Sequence, residues 1–139
     1  MIKKAHDYDP ESDYDIDRRP DKNLAQAVKI TVKRIKKDLL PSIKEFDNFT
    51  TAFIKNNPCL GTYVTGTHSS PYILLNLKDI KEACKEYKID YSIAIETTIT
   101  HELAHAIQDA RGIPSDEEEA EDFAYQYQND LPLNLIRRK

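Results

Sequence analysis

The chain has 139 residues, of which 40% are apolar and 32% charged, with a formal net charge of −4. That length allows one buried core and not two, and the acidic balance speaks against a dedicated nucleic-acid binder, leaving a local basic patch as the only route to such a role. No apolar run approaches the roughly 18–20 residues of a membrane span, and the opening "MIKKAHDYDPESDYD" lacks the apolar stretch of a secretory signal.

Residues 5–22, "AHDYDPESDYDIDRRPDK", are rich in Asp and carry no helical or alternating apolar pattern. We read 1–22 as a flexible acidic tail, with a docking or inhibitory segment lying across a site as the other reading. Residues 23–139 form a single domain.

Order begins near Asn23. Leu24, Val28, Thr31, Val32, Ile35 and Leu39 recur at helical spacing until Pro41 stops the run, and Lys29, Lys33, Lys36 and Lys37 fill the opposite face. A solvated face is the plain reading of those lysines; contact with nucleic acid is the sharper one. A second helix is predicted across "SIKEFDNFTTAFIKNN", with Ser42 as N-cap and Pro58 beyond its end. The segment "GTYVTGTHSSPYILLNL" then reads as two short strands, at about 61–65 and 71–76, joined by a turn. Cys59 and Cys84 are isolated thiols without CxxC spacing, which fits a reduced, cytoplasmic setting. "KDIKEACKEYK" returns to helix, and Asp90 or Ser92 caps the next one, which Gly112 and Pro114 end. Ser115 opens the last helix, "SDEEEAEDFAYQYQND".

The helix after Asp90 holds "TITHELAHAIQD". At about 100° per residue, Ile95, Ile99, Leu103, Ala106 and Ala110 make one apolar stripe, and His101 and His105 lie on the other side, about 40° apart. Two imidazoles one turn apart can converge on a Zn²⁺ ion. Glu102 projects beside that point rather than onto it, where its carboxylate can accept a proton from an attacking water. Two exposed histidines without a role are the plain alternative.

A catalytic zinc needs a third protein ligand and an open position. The pattern HExxHxxGxxH fails, because Gln108 and Arg111 stand where Gly and His are required, and no histidine follows His105. A carboxylate from "SDEEEAEDFAYQY" is the remaining source. With Ala120, Phe123, Ala124, Tyr127 and Leu131 as the buried face, Glu117 lies about 60° from Ala120, Glu119 about 100° and Glu118 about 160°. Phase favours Glu117, although the same acids also complement the helix dipole.

"HELAH" followed by "EEEAEDFA" resembles the gluzincin zinc peptidases, and most of all the small intracellular members of the ImmA/IrrE type. The likeness spans roughly residues 61–127. It implies an α+β zincin-like minimal metallopeptidase domain, mostly helical with a small sheet, with Zn²⁺ on His101, His105 and Glu117. Glu121 departs from the family's Asp or Asn, and Ala104 from its common Gly, which keeps Glu118 and Asp122 as an alternative pair. The implied activity is hydrolysis of peptide bonds in a protein or peptide substrate, with Glu102 as general base. Tyr63, His68, Tyr125 and Tyr127 are the candidates to stabilise the oxyanion. By the same resemblance "PYILLN" is the sheet edge above the zinc, ready to pair with an extended substrate, while Ile73, Leu74 and Leu75 as an interior strand with both edges covered is the other reading. A metal-stabilised binding or regulatory module without turnover, and a nucleic-acid-associated protease, are the rival readings.

Overall fold

The computed structural model describes residues 14–64 and 70–137. The turn expected between the two strands, with His68, lies outside them, as do residues 1–13. The architecture is mixed α+β, predominantly helical with one three-stranded sheet.

Helix α1 (Lys22–Leu39) starts where the Asp21 side chain accepts from the N–H groups of Asn23 and Leu24. It buries Leu24, Val28, Thr31, Ile35 and Leu39, the stripe read from the sequence. Pro41 ends it in a short 3₁₀ turn, Leu40–Ser42. The helix expected from Ser42 onward does not form. The chain runs irregularly to Phe49 and then makes strand β1 (Thr50–Phe53). Ile43, Phe46, Phe49 and Phe53 imitate helical spacing because a loop and a strand in turn feed the same core. The two β-branched threonines instead favour the extended form, and it gains a ladder partner.

That partner is β3 (Tyr72–Leu75), which runs parallel to β1 in the register Thr50↔Tyr72 to Phe53↔Leu75. Strand β2 (Gly61–Val64) pairs with the other side of β3, antiparallel, from Gly61↔Leu75 to Val64↔Tyr72. The order β1-β3-β2 makes β3 the central strand, so the expectation that "PYILLN" forms a sheet edge is corrected. Its unbroken apolar run is the pattern of a strand buried on both faces, and Ile73, Leu74 and Leu75 are fully buried. The edge on that side of the sheet is β2. Past the end of β1, Ile16 bridges Ile54, the Asp17 N–H donates to Phe53 O, and the Lys55 N–H donates to Asp15 O. Residues 15–17, assigned above to the tail, are therefore hydrogen-bonded to the sheet.

Helix α2 (Leu77–Tyr87) is capped by Asn76 and stops at Lys88, which adopts a left-handed conformation. Helix α3 (Tyr91–Ala110) is capped by Asp90, whose carboxylate accepts from the Ser92 N–H. Gly112, at φ +71, and Pro114 lead into α4 (Glu117–Gln128), which starts from Asp116 rather than Ser115 as N-cap. A last turn, α5 (Asn134–Arg137), is tied back by Arg111, which donates to the carbonyls of Leu135 and Ile136 and pairs with Glu45.

Helix α3 is the axis of the fold, touching α1, α2, α4, β2 and β3. The helix does not pack by a single stripe and present both histidines outward. Alongside Ile95, Ile99, Leu103 and Ala106 it buries Thr100, Ala104, His105, Ile107 and Gln108, while Ala110 is exposed. Covering by β2 on one side and α4 on another submerges the polar face that phase alone assigned to solvent. Among the described residues no helix is long and apolar enough to cross a membrane, and Cys59 and Cys84 are free thiols.

Candidate metal centre

One turn of α3 separates His101 from His105, and their rings meet edge to face with centroids 4.9 Å apart. Glu117, the first residue of α4, brings a carboxylate to both. Its Oε2 lies 3.0 Å from His101 Nε2 and its Oε1 lies 2.7 Å from His105 Nε2. One ligand atom from each of the three residues falls within 4.8 Å of the others. The sequence-derived trio is thus assembled in space, from two elements. Glu118 and Asp122, the alternative pair, instead line a recess of about 220 Å³ with Asn134 and Leu135.

The protonation of His105 follows from its neighbour. Gln108 is fully buried one turn further along α3. Its amide orientation is fixed by the backbone of Asp116, whose N–H donates to Gln108 Oε1 at 3.2 Å and whose carbonyl accepts from Nε2 at 3.1 Å. The oxygen therefore faces His105 Nδ1, 2.9 Å away, and Nδ1 must carry the hydrogen. Nε2 is left with its lone pair toward the Glu117 carboxylate. At 2.7 Å the two atoms are within ion-pair distance, yet Nε2 has no hydrogen-bond partner although it is buried. A lone pair and a carboxylate oxygen converging in a buried corner are two acceptors without a donor. A cation or a proton between them resolves the conflict, and two imidazole nitrogens with one carboxylate are a donor set that suits Zn²⁺. The residues present fit the metal.

Access comes from the Glu117 side. That side chain is 72% exposed, whereas His105 is only 5% and His101 20% exposed. Glu102 sits beside the trio and is half-buried. Burial pushes its carboxyl up to about 7, opposed by the positive charge His105 carries when its ring is protonated and increased by the Glu117 charge. It borders β2 closely: a Cβ placed on Gly61 would lie 3.5 Å from Glu102 Cγ and 2.7 Å from the Thr98 methyl.

Of the four groups considered for the oxyanion, Tyr63 is the one that reaches the cluster. Its ring stacks on His105 at 6.1 Å and 17°. Burial raises its hydroxyl above the ordinary value, and the nearby Asp109 and Glu102 carboxylates add to this. The Tyr127 hydroxyl donates to Asp38 at 2.7 Å and is raised by burial and by that bond, so it is committed elsewhere. Tyr125 is 61% exposed on α4, and His68 lies outside the described residues.

Gln108 was not singled out from the sequence as a site residue. The signal existed, since 101, 105 and 108 follow the i, i+4, i+7 rule for one helix face. Gly61 has no comparable local signal, because its neighbour Thr98 is 37 positions away. On α1, Lys29, Lys33 and Lys37 are exposed, and no salt bridge joins them to any described residue, whereas Lys36 lies over the Phe49 ring. Compared with known proteins, the chain matches no family model, no curated protein and no solved structure.

Proposed function

We propose that this chain is a zinc-dependent peptidase of the zincin-like type, cutting peptide bonds in a protein or peptide substrate. The observation that carries the reading is the convergence of His101, His105 and Glu117 with a buried, unpartnered His105 nitrogen aimed at the carboxylate. Three protein ligands and an open side suit a catalytic zinc, whereas a structural site is usually closed by four. That contrast favours turnover over the rival of a metal-stabilised regulatory module. The likeness of "HELAH" and "EEEAEDFA" to the gluzincin signatures supports the same assignment of ligands.

Bound at the trio, Zn²⁺ would supply Lewis acidity that polarises the scissile carbonyl and makes water a better nucleophile at neutral pH. The chain's own residues do the rest. Glu102 takes a proton from the attacking water as its oxygen bonds to the carbonyl carbon. It then delivers that proton to the amide nitrogen as the C–N bond breaks, giving an amine and a carboxylic acid that releases its remaining proton to solvent at neutral pH. Burial favours the protonated form of this carboxyl, which a nearby cation would offset by favouring the ionised form that accepts the proton. Tyr63, stacked on His105, is the residue we assign to donate toward the oxygen on which negative charge develops. The binding platform is β2, whose outer edge pairs with no described strand.

The test combines zinc analysis of the purified chain with hydrolysis of an unfolded protein. Zinc near one equivalent, cleavage by the native chain, and retained zinc without cleavage in Glu102→Gln are expected. Undiminished cleavage by Glu102→Gln would remove it as the base. Zinc content unaffected by His101→Ala and His105→Ala would remove the site.

A further inference from the structure

We propose that Gln108 is the positioning residue of the metal centre, holding His105 in the ligating tautomer and tying it to the helix that carries Glu117. The inference rests on the metal reading above. A metal-bound histidine usually donates its second ring N–H to a carboxylate, a backbone carbonyl or a water. Here a side-chain amide on the same helix takes that place.

The bonding of this amide is complete. A primary amide offers two acceptor lone pairs and two donors, and burying any of them unmatched costs about 1–3 kcal/mol. Gln108 uses all four. Oε1 accepts from His105 Nδ1 at 2.9 Å and from the Asp116 N–H at 3.2 Å. Nε2 donates to the Asp116 carbonyl at 3.1 Å and to Glu119 Oε1 at 2.9 Å. Asp116 is the N-cap of α4 and accepts from the Glu119 N–H, so both α4 contacts of Gln108 belong to one capped turn. Glu117 stands between them in the chain. The same group that sets the ring of one ligand therefore sets the helix start that presents another.

A carboxylate could not do this. It would accept from His105 and the Asp116 N–H, but it has no N–H for the Asp116 carbonyl and would meet Glu119 as a like charge. The amide thus couples α3 to α4 through geometry, without adding charge to the centre. Two consequences distinguish it from an ordinary core contact. The His105 tautomer depends on it more than on Ser115 Oγ, the longer contact to Nδ1 at 3.3 Å, and its effect on zinc passes partly through Glu117.

The experiment measures zinc affinity by chelator competition in the full chain, alongside the ¹⁵N resonances of the histidine rings. Before zinc is added, wild type is expected to hold His105 with hydrogen on Nδ1, and Gln108→Met to shift it toward Nε2–H. Zinc binding is expected to weaken 10–100-fold in Gln108→Met, the range typical of lost outer partners of metal ligands. In a Glu117→Ala background the same substitution is expected to cost at least threefold less. If Gln108→Met does not fold by circular dichroism, Gln108→Asn, which keeps the amide but withdraws it, carries the comparison with the same expectation. Wild type with hydrogen on Nε2 and none on Nδ1 overturns the proposal. So does a folded variant that binds zinc within twofold of wild type while His105→Ala has lost it. Zinc uptake that His105→Ala leaves unchanged instead sinks the metal reading itself.

Discussion

Glu117 Oε1 lies 2.7 Å from the buried Nε2 of His105, and no hydrogen bond joins them. The pair is stable only if a cation or a proton sits between, which makes Glu117 a discriminating position. Glu117→Ala is expected to weaken zinc binding by at least tenfold, and Glu118→Ala to leave it within about twofold, the two being compared by chelator competition. The second figure follows from Glu118 facing the α4–α5 recess instead of the histidines. An equal loss in both would mean that the acidic turn acts through its summed charge, not through one ligand.

The grouping of His101, His105 and Glu117 was legible in the sequence because helical period fixes relative placement within a rigid element. His101 and His105 needed only one turn of helix, and Glu117 only the phase of the next. What failed was context. The burial of His105 depends on β2 and α4 closing over α3, and no local pattern records which element will cover a polar face. The helix drawn from Ser42 failed for a related reason: Ile43, Phe46, Phe49 and Phe53 carry the spacing of a helix, while the stability of Thr50–Phe53 comes from β3, about twenty residues later. The central place of β3 was readable from its apolar run, but the likeness to a family edge strand outweighed that signal.

Glu102 gives a prediction about pH. Its carboxyl is pushed up from 4.5 to about 7 in the zinc-free fold, so the folded state holds a proton that the unfolded chain releases. Folded binding of the extra proton means that this group's stabilising contribution is complete below about 4.5 and is lost as pH rises through about 7. Discounted for partial exposure, the effect is about 1–2 kcal/mol. Urea unfolding of zinc-free protein at pH 5 and pH 8 is expected to show that much greater loss in wild type than in Glu102→Gln. Parallel pH dependence of the two proteins would show that Glu102 titrates normally. Zinc should shrink the difference, because a nearby cation favours the ionised carboxylate.

Gly61 gives a prediction about packing. A Cβ there would lie 2.7 Å from the Thr98 methyl and 3.3 Å from Leu74 O, so Gly61→Ala must displace either β2 or the Thr98 side chain next to Glu102. Overpacking of this kind costs about 1–3 kcal/mol. Thr98→Ser removes the clashing methyl and keeps the hydroxyl bond to Ala94 O. The double variant Gly61→Ala/Thr98→Ser is therefore expected to recover at least half of the stability lost by Gly61→Ala, measured by urea unfolding. A double variant no more stable than Gly61→Ala would place the strain elsewhere, at Leu74 O.

The remaining prediction concerns how substrate is held. Strand β2 carries Tyr63 against His105 at its inner face, and Gly61 brings its first residue against Glu102. Its inner edge is occupied by β3, and no described strand pairs with the outer one. Alternate N–H and C=O groups of an edge strand bond an extended peptide through its backbone, so affinity grows with length while side chains are read loosely. Each added backbone hydrogen bond contributes about 0.5–1.5 kcal/mol, and two or three separate a dipeptide from a peptide of about eight residues. With native chain and zinc in excess, kcat/KM is expected to rise by at least tenfold over that range of lengths. N-methylation of the peptide at alternate backbone nitrogens should remove the gain at the positions whose N–H faces β2 and leave it at the others. Equal cleavage of dipeptides and octapeptides, or equal tolerance of N-methylation at every position, would show that β2 does not hold the substrate.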